Sequence, residues 1–131
     1  AFYRFKKIAK VTRRWLGLEP AVQPLAQIEN SVVDRFEGRV RRRLDLVLKG
    51  VFSDAEIKAE LLRRLGDKNF TQRIHVGAML MWQSQDRQSP MAIAVYARDG
   101  KGWRGESSDH MRIAGRGDEE FTALMDEVMA R

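Results

Sequence analysis

Cysteine is absent from this chain, and histidine occurs only twice. The first absence excludes a disulfide scaffold, a thiolate-ligated zinc site and a cysteine nucleophile. His75 and His110 fall on different elements and match no H-x-x-x-H or H-E-x-x-H spacing, so no metal is expected. No apolar run approaches the roughly 18 residues that a membrane span needs. There is no internal repeat and no low-complexity tract. A phosphate-binding loop is also missing, and Gly115-x-Gly117 is too short for a dinucleotide fingerprint. Residues 1–18 combine six basic residues with no acid, and that local imbalance is the most informative feature of the composition.

The chain has 131 residues, of which 44% are hydrophobic and 32% charged, a balance suited to one folded domain. Its net charge of +6 comes entirely from Arg4, Lys6, Lys7, Lys10, Arg13 and Arg14, because residues 19–131 hold as many acids as bases. A high isoelectric point concentrated in one segment describes a basic arm on a neutral body. At 100° per residue, Lys6, Lys7, Lys10, Arg13 and Arg14 share one arc of a helix. Phe2, Phe5, Ile8, Trp15 and Leu16 share the opposite arc. Gly17 and Pro20 end that helix. The domain plan is therefore an arm over 1–18, a linker over 19–24 and a single domain over 25–131.

Leu25, Ile28, Val32, Phe36, Val40, Leu44 and Val47 recur at steps of three and four, which predicts one helix of about 25 residues ending at Gly50. Gly38 lies on its polar side and weakens it slightly. On that helix Arg35, Arg39 and Arg42 share one flank. Asp34, Glu37 and Asp45 share the other, with Arg41 among them. Ser53-Asp54-Ala55-Glu56 is a capping box, and it predicts a second helix with Ile57, Leu61, Leu62 and Leu65 inward, stopped by Gly66. A helix-turn-helix reading is disfavoured, since Asp54, Glu56 and Glu60 would meet phosphates.

After Asn69 the hydrophobic period changes to two. Ile74, Val76, Ala78, Leu80 and Trp82 alternate with Arg73, His75, Gly77, Met79 and Met81, a long strand whose far end is covered on both faces. A second strand spans Met91 to Arg98, with a tight turn at Asp99-Gly100. A third begins at Trp103, and a short fourth spans Met111 to Ala114. Asp118 is the expected cap of a terminal helix that points Phe121, Leu124, Met125 and Val128 inward. The fold class is α+β: a basic helical arm, a long helix and a short helix, an antiparallel meander of three to four strands, and a C-terminal helix. That general plan is similar to that of some small phage neck and tail-completion proteins, though no motif carries the likeness.

No catalytic constellation survives inspection, so the chain is expected not to be an enzyme and to use no cofactor or small-molecule substrate. Ser107-Ser108-Asp109-His110 holds the residue types of a triad, but neighbours in sequence do not converge as a triad must. Trp82, Tyr96 and Trp103 are residues a base-stacking platform would use, yet their register favours core packing. Arg116-Gly117-Asp118 is explained by helix capping. The leading expectation is a subunit of a larger protein assembly, virion- or phage-type proteins included. It would oligomerise or dock on a protein partner through Phe2, Phe5, Ile8, Trp15 and Leu16. The first alternative is nucleic-acid binding, with Lys6, Lys7, Lys10, Arg13, Arg14, Arg35, Arg39 and Arg42 on phosphates. The second is attachment to an anionic membrane surface. The expected location is the cytoplasm, a virion or another assembly, without secretion or a membrane span.

Overall fold

The structure, a computed structural model, describes residues 24–129. The arm, and with it every docking and phosphate residue predicted between Phe2 and Leu16, lies outside the described residues, as does the linker up to residue 23. The body is α+β, with a five-stranded sheet and three helices. Strand β1 is Ala26–Phe36 and β2 is Arg39–Leu48. Helix α1 is Asp54–Leu65 and the single turn α2 is Lys68–Thr71. Strands β3 (Val76–Trp82), β4 (Ala92–Ala97) and β5 (Met111–Gly115) follow, and α3 (Phe121–Met129) closes the order.

The expected long helix over 25–50 is instead the β1–β2 hairpin, the largest correction to the sequence reading. Its turn is Glu37-Gly38, where both residues take positive φ (51° and 81°), and Phe36 pairs with Arg39 across it. Two successive left-handed residues make the turn whose twist matches paired strands. Gly38 is thus the point where the chain reverses, and no helix passes through it. Leu44, Leu46 and Leu48 line one face of β2, while Arg39, Arg41, Arg43 and Asp45 line the other.

The strands lie in chain order, β1-β2-β3-β4-β5, and every neighbouring pair is antiparallel except β2 and β3. That parallel pair is made possible by α1 and α2, which carry the chain back to the same end of the sheet. The sheet is therefore mixed, and only β3-β4-β5 form the expected meander. Both faces of its centre are covered. Leu44, Leu46, Met79, Met81, Ala92 and Ala94 pack with Ile57, Leu61 and Leu65 of α1 and Phe70 of α2. On the reverse face Val76, Ala78, Leu80, Ile93, Val95 and Ala97 pack with Phe121, Leu124 and Val128 of α3. All seven residues of β3 are buried.

Helix α1 starts where the capping box placed it. The Ser53 hydroxyl accepts from the Glu56 N–H (3.1 Å), and the Ser53 N–H donates to Glu56 Oε1 (2.9 Å). Leu62, expected inward, is exposed, and Glu60 is buried in its stead. The Glu60 carboxylate accepts from Arg63 (2.7 Å) and Arg64 (2.8 Å), which is what allows an acid to sit there. Trp103 does not begin a strand. Residues 101–107 form a tight loop with an isolated bridge between Lys101 and Ser107, and Gly105 at φ 99° prevents extension. Asp118 does not cap α3 with its side chain. Its carboxylate accepts from the Gly115 N–H (2.8 Å) and pairs with Lys58 (2.6 Å), and α3 begins only at Phe121.

Candidate assembly interface

The predicted arginine flank does not exist. On a strand, directly paired residues share a face, so Arg35 lies with Val40 and Arg42 while Arg39 lies on the opposite face. Arg39 is consumed by the fold. It donates to both Asp99 oxygens (2.8 and 3.0 Å) and to the carbonyls of Gly102 (2.8 Å) and Lys101 (3.1 Å). Arg42 donates to the carbonyls of Asn69 (2.9 Å) and Phe70 (2.6 Å), closing the last turn of the crossover. Of the three, Arg35 alone is exposed.

The residues weighed for other chemistry and set aside are likewise taken up by the structure. Trp82 and Trp103 are buried on the α3 side, whereas Tyr96 faces α1, so the three aromatics form no common platform. His75 Nδ1 accepts from the Val40 N–H (2.8 Å), and His110 Nδ1 donates to the Ala97 carbonyl (2.8 Å). Ser108 Oγ donates to the Asp109 carbonyl, away from His110. Arg116 donates to the Pro90 carbonyl (3.0 Å) and to Asp86 (3.0 Å). Among the described residues no group of three or more acids and histidines is placed to hold a metal ion. No helix among them is long and apolar enough to cross a membrane.

A concavity of about 580 Å³ lies at the carboxyl ends of β2 and β3 between Lys49–Val51 and Gln83–Gln85. That is where parallel sheets usually bind ligands. Its lining is amide, hydroxyl and aliphatic apart from Lys49, with no acid–base pair.

The feature that stands apart is β1. It is 11 residues long, is paired along one side only among the described residues, and is exposed from Gln27 to Arg35. Ile28, Val32 and Val33 are 53%, 47% and 52% exposed. Beyond Ala26 the strand is exposed, and each of its faces borders a groove. One groove, about 280 Å³, runs from Ile28 and Ser31 to Phe70 and Met79. The other, about 310 Å³, runs from Val32 and Asp34 to Trp103 and Val128.

The strand is nevertheless held firmly in place. Asp34 accepts from Arg41 Nε and Nη2 (2.9 Å each). The Arg41 guanidinium is sandwiched between the Phe36 and Trp103 rings, 4.5 Å from each centroid. At a bulge between Ile28 and Asn30 the extra residue, Glu29, accepts from Arg87 Nη1 and Nη2 (2.7 Å each). On the other face Arg64 donates to the Ala26 carbonyl (2.6 Å). Hydrogen bonding to Arg41 holds the Asp34 carboxyl below its ordinary pKa, and Arg87 does the same for Glu29. Among the described residues this edge has no strand partner, and apolar side chains lie on both of its faces.

Sequence reasoning missed this site because it placed 25–50 on a helix. Two signals for it were present. Glu37-Gly38 is a two-residue turn candidate between Val32-Val33 and Val40, and Leu44, Leu46 and Leu48 alternate. No protein family, curated protein or solved structure was found to match the chain.

Proposed function

We propose that the chain is a non-catalytic assembly subunit that joins a protein partner along the outer edge of β1. One observation carries this reading: an 11-residue edge strand with Ile28, Val32 and Val33 about half exposed. Edge strands are ordinarily short, or blunted by lysine or proline, because an open edge recruits other chains. Residues 26–36 contain neither lysine nor proline. The neutral body supports the same reading, since polyanion binding draws on a basic domain surface. Eight arginines of the body, among them Arg39, Arg41, Arg43 and Arg112, are already paired with carboxylates of the body itself. The apolar arc of the arm, Phe2 to Leu16, supplies a second protein contact in this proposal.

Light scattering with in-line absorbance at 260 and 280 nm tests it, on the full chain and on the Val33→Lys variant at low and high salt. The expected result is a mass above one chain, insensitive to salt, without excess absorbance at 260 nm, and lost in the variant. Nucleic acid that co-purifies and is released by salt would replace this reading with phosphate binding. A single-chain mass for both proteins at every salt would remove it.

A further inference from the structure

The β1 edge also indicates what kind of chain it accepts. The hairpin closes on the Phe36–Arg39 pair, and antiparallel pairs alternate between bonded and non-bonded. Counting back along β1, Ser31, Val33 and Arg35 therefore turn their N–H and C=O groups away from β2, toward the open edge. The bulge at Glu29 breaks the regular edge on one side, and the Glu37-Gly38 turn ends it on the other. What remains is Asn30–Phe36, a regular stretch whose midpoint is Val33.

Resting on the assembly reading above, we infer that the occupant of this edge is a second copy of the same chain, paired antiparallel about a two-fold axis through Val33. In that register Val33 meets its own copy, Ser31 meets Arg35, Val32 meets Asp34, and Asn30 meets Phe36. Within Asn30–Phe36 no like charges are opposed; Glu29 and Glu37, which the same register sets opposite each other, lie in the bulge and the turn that bound it. Axes through Asp34 or Arg35 would set two like charges face to face, which destabilises a strand pair. The outward groups of Ser31, Val33 and Arg35 supply about six main-chain hydrogen bonds across the junction. Such a junction joins two five-stranded sheets into one continuous sheet and puts the two exposed Val33 side chains in contact. It is isologous and closed, so it stops at two chains. Its area falls below the roughly 1,200 Å² of a standard interface, so a dissociation constant in the range of about 1–100 μM is expected.

The test uses the full chain over about 1–500 μM, followed by sedimentation and by a short bis-maleimide cross-linker. The absence of native cysteine makes a single introduced thiol unambiguous. A concentration-dependent two-chain mass, efficient cross-linking of Val33→Cys and none of the surface variant Glu119→Cys would support the dimer. Ser31→Lys, which sets a second cation against Arg35 of the other copy, should weaken association about threefold to tenfold. Ser31→Glu should tighten it by a similar factor. Circular dichroism and melting of each variant, unchanged from the parent, show that the fold is intact. If association is lost in Val33→Lys but Val33→Cys does not cross-link, the two-fold dimer fails while the edge remains an assembly surface. An unaltered single-chain mass at every concentration overturns both.

Discussion

Strands β1 and β3 belong to one sheet yet meet opposite environments. Each side chain of β3 is buried between α1 on one face and α3 on the other, and Met79, Leu80 and Met81 have no exposed surface. Along β1, only Ala26 is buried, although the strand carries Ile28, Val32, Val33 and Phe36. Apolar residues in β3 are explained by the core they fill. Those at the middle of β1 fill no core within the body, so their stabilising role is weak and their chemistry suits contact with another chain. One sheet thus holds a central strand buried on both faces and an exposed edge strand, the one proposed above to join another chain.

The comparison is broken most decisively from the β3 side. Leu80→Ala removes a side chain with no exposed surface from the α3 face, and should cost about 2–5 kcal/mol of unfolding free energy, measured by urea titration. Gly77→Ala should cost about 1–3 kcal/mol, because its new Cβ would lie 2.5 Å from Phe70 Cζ and 2.9 Å from Ile74 Cδ1.

Glu127→Gln probes how α3 is fixed over the sheet. Glu127 accepts from the Trp103 N–H (2.8 Å) and from both Arg112 amino groups (3.0 and 2.8 Å). Burial alone would raise its pKa, but the Arg112 and Trp103 bonds outweigh it and hold the carboxyl below the ordinary value. A folded-state pKa below the unfolded one contributes stability above the usual carboxylate range. That contribution is lost as pH falls through the folded value. The parent should therefore lose stability below about pH 4.5, and the variant should lose less of it there. At neutral pH the variant is expected to be about 1–2 kcal/mol less stable.

The smallest effect on stability belongs to β1. Val33→Lys should change the unfolding free energy by no more than about 0.5 kcal/mol, since half of the side chain is already in water. Its consequence is expected in the mass of the particle. A loss from Val33→Lys comparable to that from Leu80→Ala would mean that β1 is part of the core, and the contrast between the strands would collapse.

Much of the body was legible from local pattern. The Ser53/Glu56 box located α1, and alternation from Ile74 to Trp82 located β3, with Met79 and Met81 marking the cover on both faces of its far end. Phe121, Leu124 and Val128 located α3. The hairpin was not legible in the same way. A spacing of three and four from Leu25 to Val47 suits a helix, and the same residues also suit two strands once the chain reverses at Glu37-Gly38. The candidate site went unseen with it, because Arg35, Arg39 and Arg42 share a flank on a helix and divide between faces on a strand.

The linear sequence settled whatever depends on neighbours within a few residues: a capping box, an alternating strand, an amphipathic terminal helix, and a basic arm ahead of a neutral body. Three-dimensional packing settled the rest. Whether Leu25–Gly50 becomes a helix or a hairpin depends on β3, which lies more than 25 residues downstream and offers β2 a parallel partner along Arg41–Val47. A strand gains its hydrogen bonds only from another strand, whereas a helix satisfies its own. For the same reason the open edge of β1 is a property of the order of strands in the sheet, which no local pattern in 26–36 contains.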